Sequence, residues 1–181
     1  SGCSSKRTIL YAGTLNEKYG IKTLVDAFRL MEGKHLCLVI CGRGDSEEYI
    51  CSASKQDSRI HYIGQVTPND VKELMKSADI LVNPRPNNEI YTRYSFPSKN
   101  IEYLLSGKVV LGYKLDGMPD CYKQFMVIVK EDSQDAIMNM HNALVSSLNI
   151  ESYDNLSFLS YAKEHLSADI VAKKIIKLIQ C

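Results

Sequence analysis

The sequence lacks an excess of charge of either sign: 22 Lys+Arg stand against 21 Asp+Glu, a formal net charge of +1. Without a basic field there is nothing to hold a nucleic-acid backbone, so no nucleic acid is expected as a partner. Long hydrophobic runs are missing as well. The longest strong one, Leu36 to Cys41, is strand-sized, far short of the roughly 20 residues a membrane span needs, so no transmembrane segment is expected. The first residues do not show the charged-then-apolar layout of a signal peptide, and the chain reads as cytoplasmic. Ser1-Gly2 reads as a cloning remnant, which sets residues 1–5 aside from a core of 6–181.

Motifs of several chemistries are absent too. The cysteines (Cys3, Cys37, Cys41, Cys51, Cys121, Cys181) are scattered, with neither the CxxC pairs of a zinc site nor the density of a disulfide scaffold; they read as reduced packing residues. His35, His61, His141 and His165 show no metal-ligand spacing, and His61, inside a strand, reads as a packed residue. No GxSxG elbow presents a serine nucleophile, and neither GxxxxGK[ST] nor GxGxxG is present.

What the sequence does have is 45% hydrophobic residues over 181 positions, enough for one domain with a full core. Apolar runs end at Gly13, Gly42, Gly64, Pro84, Tyr113 and Lys130, and helix-period segments alternate with them: 21–31, 45–55, 68–78, 97–106 and 134–148. Strands joined by helices predict a doubly wound, Rossmann-like α/β domain with a parallel six-stranded sheet and helices on both faces. Thr67, followed by Pro68, Asn69 and Asp70, predicts a capped helix start, and Gly33 and Gly107 predict helix stops. The last thirty or so residues read as helical, with an apolar stripe of Ile170, Val171, Ile175, Ile176 and Ile179.

Ligands of such sheets bind outside the carboxyl ends of the strands, which directs attention to the loops after Gly13, Gly42, Gly64 and Pro84. In "YSFPSKNIEYLLSGKVV", Pro97 at the first helical position leaves the amides of Ser98, Lys99 and Asn100 without intrahelical partners. Those amides, the helix dipole, the Ser98 hydroxyl and the Lys99 charge make an anion site, with Arg85 and Arg93 in the preceding loop to reinforce it. Glu102, one turn in, is suited to accept hydrogen bonds from sugar hydroxyls. The plain alternative is that Lys99 and Glu102 form an i,i+3 surface pair. In "GTLNEKYG", Gly13 and Gly20 let backbone approach a ligand, and Thr14 and Lys18 offer side chains to phosphate. "CGRGDSEE" carries a weak nucleotide signal, a GxG without the third glycine that follows the second strand rather than the first, and its Arg43-Gly44-Asp45 also matches an adhesion tripeptide.

The runs "GTLNEKYGIKTLVDAF", "LVICGRG", "RIHYIGQVTPNDVKELMKSADILVNPR" and "SFPSKNIEYLLSGKVVL", in that order, together resemble the C-terminal, donor-binding half of the GT-B glycosyltransferases of the family-4 (group 1) type. The resemblance runs from about Arg7 to the closing "SADIVAKKIIKLI" and is nearest to the subgroup with an FPSK and EYL signature. It implies a retaining, metal-independent hexosyltransferase of polysaccharide or glycan synthesis. No cofactor is implied, because the substrate is itself a nucleotide diphosphate sugar. The partner would be an N-terminal acceptor domain absent from residues 1–181, without which this half is inactive. Peripheral association with the inner face of a membrane would belong to the full-length enzyme.

Carried over residue by residue, Glu102 is the ribose-binding acid, Ser98 and Lys99 receive the phosphates, and Ser95, Phe96 and Pro97 before them belong to the donor set. The segment Tyr62 to Val66, with Gly64, Gln65 and Val66 as its donor contacts, is the strand end where main chain holds the base; Gly13, Thr14, Lys18 and Arg43 complete the donor set. Lys99 and Glu89 are the catalytic candidates. The pattern departs at three places. Thr14 and Tyr19 stand where the family places an Arg and a Lys, with Lys18 next door as a substitute, and Tyr94 replaces the first of two acids, leaving Glu89 nearest to the donor sugar. These departures keep a second reading open, a catalytically silent nucleotide-binding or interaction domain on the same scaffold.

Overall fold

The computed structural model describes residues 6–87, 98–131, 135–150 and 155–166. Among them, β1 (Arg7–Ala12), β2 (Leu36–Cys41), β3 (Ile60–Tyr62), β4 (Ile80–Asn83), β5 (Val109–Tyr113) and β6 (Val127–Val129) form one sheet. Its order is β3-β2-β1-β4-β5-β6, and every neighbouring pair is parallel. The inner strands are the continuous apolar runs of the sequence. All of β4 and β5 is buried, as a sheet covered on both faces requires.

The edge differs from the expectation. In β3 only Ile60 is buried, and His61 is exposed rather than packed, because β3 has a neighbour on one side alone and is three residues long.

Six helices accompany the strands among the described residues: α1 (Ile21–Arg29), α2 (Glu47–Gln56), α3 (Pro68–Ser77), α4 (Ser98–Leu105), α5 (Ala136–Leu148) and α6 (Asn155–His165). α3 starts as its sequence dictates. The Thr67 hydroxyl accepts from the Asp70 amide and the Asp70 carboxylate accepts from the Thr67 amide, each at 3.2 Å, with Pro68 at the first position. α4 stops before Gly107, which takes the left-handed conformation at φ 72°. α1 stops at Arg29, short of Gly33, and α5 starts after Asp135, whose carboxylate caps the Met138 amide at 2.9 Å. The stripe from Ile170 to Ile179 lies outside the described residues.

A short 3₁₀ helix, Asp120–Phe125, was not signalled by the hydrophobic period. Its buried Tyr122 and Phe125 form an aromatic cluster with Phe158 and Tyr161 of α6, at centroid separations of 5.2 to 6.0 Å. The cysteines Cys37 and Cys41 are buried in β2, and they are free, as are Cys51 and Cys121.

β1 and β4 are neighbours, yet β2 and β3 extend the sheet to one side and β5 and β6 to the other. Chain leaving β1 and chain leaving β4 therefore part company at the carboxyl edge, which opens a crevice there.

Candidate functional site

Three strand ends are stitched together where β1 and β2 terminate. The Gly13 amide donates to the Cys41 carbonyl at 2.9 Å, and the Gly42 amide to the Gly64 carbonyl at 2.8 Å. Gly42 has φ 135°, and a Cβ there would collide with the Gly13 carbonyl oxygen, so both conformation and space demand glycine. At Gly13 the reason is different. The volume a Cβ would occupy is taken by the Lys99 ammonium.

Lys99 lies in the first turn of α4, and its Nζ donates to the Ala12 carbonyl, the last of β1. The ammonium also stands 5.3 Å from the centre of the Tyr11 ring. Burial holds its pKa below the ordinary lysine value, while Cys41 and Glu102 pull the other way. Two neighbours fix α4 to the sheet. The fully buried Tyr103 hydroxyl lies 3.2 Å from the Ala12 nitrogen and 3.3 Å from its oxygen, and the buried Asn100 accepts from the Asn83 side chain at 2.5 Å. Glu102 is exposed on the cleft side of the same helix.

The loops after β1 and β2 close on each other. Leu15 donates to the Arg43 carbonyl at 2.8 Å, Ser46 to the Leu15 carbonyl at 2.9 Å, and Glu17 to the Asp45 carboxylate at 2.9 Å. The Gly44 amide donates to Glu47 at 3.0 Å, and with the Tyr62 hydroxyl it holds the Glu47 carboxyl below its ordinary pKa. Arg43-Gly44-Asp45 thus ties the two loops together, its aspartate accepting from the Glu17 amide and the Ser46 hydroxyl. This also explains why α2 starts at Glu47 rather than at Asp45.

A hollow of about 390 Å³ results, lined by Gly13, Thr14, Arg43, Gln65, Val66, Lys99 and Glu102, all expected from the sequence, together with Ala12, Cys41, Gly42, Val71 and Tyr103, which were not. Of these, Tyr103 and Gly42 carried a signal: Tyr103 is one turn after Lys99 on the same helix face, and Gly42 closes an apolar strand. A second hollow of about 190 Å³ adjoins it, lined by Tyr11, Thr14, Tyr19, Asn83, Arg85 and Lys99.

Four expected residues are not on these walls; one is Gly20, which meets the Pro84 carbonyl instead. Lys18 stands 5.4 Å over the Tyr19 ring, Gly64 holds Gly42 from behind, and Ser98 is exposed at the start of α4. Glu89, Ser95, Phe96 and Pro97 lie outside the described residues. A larger hollow, about 790 Å³, lies at the opposite edge of the sheet between Arg7, His35 and His141. The helices α1 and α5 present their C-terminal ends there, which disfavours an anion.

The family model for glycosyl transferases of group 1 matches residues 4–157. The chain belongs to that family. Among curated proteins, an uncharacterized glycosyltransferase of Methanocaldococcus jannaschii is 27% identical over 122 residues, 65% of this group 1 chain and 30% of that protein. The group 1 chain thus spans less than a third of that relative's length. Among solved structures, the catalytic domain of cholesterol-α-glucosyltransferase from Helicobacter pylori superimposes with a TM-score of 0.60 at 20% identity, covering 90% of this chain and 98% of that one. The pneumococcal O-GlcNAc transferase GtfA, in complex with UDP and GlcNAc, superimposes with a TM-score of 0.62 at 16% identity, over 97% of this chain and 36% of that one. At those identities the shared feature is the fold, a Rossmann-like half of a GT-B architecture. No helix of the described residues is long and apolar enough to cross a membrane.

Proposed function

We propose that this group 1 glycosyl transferase chain is the donor-binding half of its enzyme, and that the crevice between β1 and β4 takes a nucleotide diphosphate sugar. The observation that carries the reading is the convergence of Lys99 and Glu102 on one hollow at the switch point. A partly desolvated ammonium and a carboxylate three residues on, at one helix start, match the phosphate and ribose of one ligand.

In this reading Lys99 meets the diphosphate, whose charge grows as the glycosidic bond to the leaving group breaks, so a preplaced cation lowers the barrier. Thr14 offers its hydroxyl to the same group. Glu102 accepts from the ribose hydroxyls, and the segment through Gln65 and Val66 lies along the base. The sugar is transferred with retention and without a metal, and the acceptor and the remaining catalytic groups come from a second domain, which makes this half inactive alone. The complex of the pneumococcal transferase with UDP supports a uridine nucleotide as the first donor to try.

A thermal-shift panel with UDP, GDP, ADP and their sugars tests the reading. A nucleotide at a hundred times its Kd should stabilise the chain by about 2.7 kcal/mol. Stabilisation by one base, lost in Lys99→Ala and in Glu102→Ala, supports it; indifference of a folded chain to all of them overturns it.

A further inference from the structure

The two hollows of the crevice share Thr14 and Lys99, but Glu102 lines only the larger and Arg85 only the smaller. Along the crevice the order is therefore Glu102, then Thr14 and Lys99, then Arg85. A nucleoside diphosphate has the same order: ribose, first phosphate, second phosphate.

Arg85 is placed by both loops of the switch point. It follows β4 by two residues, immediately after Pro84, whose carbonyl is pressed against Gly20 so closely that a side chain at Gly20 would collide with it. Its guanidinium lies 5.3 Å from the centre of the Tyr19 ring, and Tyr19 ends the 3₁₀ turn Glu17–Tyr19 that follows β1. The cation–π contact holds the charge beside the smaller hollow, and the planar fork of a guanidinium matches two oxygens of one phosphate. Half-buried, it is desolvated enough for that charge to count.

Resting on the donor-site reading above, we propose that Arg85 binds the second phosphate of the donor, the one bonded to the sugar, and that Tyr19 is the positioning residue that holds Arg85 in place. Lys99 and Arg85 then grip the diphosphate from the two loops of the switch point, one cation per phosphate.

Calorimetric titration of the 181-residue chain with the nucleoside diphosphate and monophosphate of the same base tests this. Wild type should prefer the diphosphate. Arg85→Gln should weaken the diphosphate about tenfold or more and the monophosphate less than about twofold, closing the preference. Arg85→Lys should restore part of it, Tyr19→Ala should lose part of it, and Tyr19→Phe, which keeps the ring, should retain it. Thermal melts of each variant check that it folds. An Arg85→Gln chain that keeps the wild-type preference, or that loses both ligands equally, overturns the assignment while leaving the donor site standing. A wild-type chain that binds no nucleotide removes the donor site and this assignment together.

Discussion

Lys99 and Ala12 are 87 residues apart in sequence, and the lysine's ammonium donates to the carbonyl with which β1 ends. One hydrogen bond thus ties the start of α4 to the edge of the switch point and parks a positive charge in the space left by the missing side chain of Gly13.

That charge should matter to ligand far more than to folding. Lys99→Met removes a desolvated ammonium, and the Ala12 carbonyl keeps the Tyr103 hydroxyl within reach, so stability should change by less than about 1 kcal/mol in a thermal melt. Affinity for a nucleoside diphosphate should fall about tenfold or more in calorimetry.

The same lysine gives a signed pH dependence. Its folded pKa lies below the ordinary 10.5, so between the two values the unfolded chain holds more protons than the folded one. The cost of burying the charge is fully present below the folded value and relieved as pH climbs toward 10.5. Melting temperature in that alkaline window should therefore rise for wild type relative to Lys99→Met. Diphosphate affinity should move oppositely, falling as pH passes the folded value and Lys99 loses its charge.

Gly42 and Gly64 both have positive φ, but they should respond differently to substitution. Gly42→Ala forces a Cβ onto the Gly13 carbonyl at φ 135° and should cost about 2 kcal/mol or more, whereas Gly64 at φ 72° faces open space, and Gly64→Asn should cost less than about 1 kcal/mol. Denaturant midpoints of the two variants separate the effects.

Glu102 is exposed, so Glu102→Ala should leave stability within about 0.5 kcal/mol. Its proposed work is on the ribose. Wild type should discriminate between a nucleotide and its deoxyribose analogues, and Glu102→Ala should bind all of them equally weakly; a variant that still discriminates contradicts the role.

Much of this is legible in the sequence. Continuous apolar runs mark β1, β2, β4 and β5 because strands buried on both faces leave no room for alternation, and Thr67 to Asp70 spelled out a helix start in side-chain chemistry. His61 was misread because burial depends on whether a strand is central, which order along the chain does not reveal. The Asp120–Phe125 helix was invisible because so short a 3₁₀ element has no 3.6-residue period, and its aromatics are held by α6 far along the chain.

In the site, the i,i+3 relation of Lys99 and Glu102 was readable as one helix end offering a cation and an acid. Gly13 was readable as a point of close approach, but that a lysine side chain, not only ligand, makes the approach depends on how α4 docks. Lys18 stands off the walls of both hollows because the 3₁₀ turn sets it over Tyr19, a placement that spacing along the chain does not reveal. Tyr103 drew no reading from the sequence; it is core, and its hydroxyl nonetheless braces the strand end beneath the cleft.

The central claim is that the crevice between β1 and β4 holds the nucleotide. Amide chemical-shift mapping by NMR during titration with UDP, GDP and ADP tests it most directly. One of the three should perturb Gly13, Thr14, Arg43, Gln65, Val66, Lys99 and Glu102 in a saturable manner and leave Arg7, His35 and His141 at the opposite edge unmoved. Perturbations centred on that opposite edge, or none with any of the three, would contradict the account.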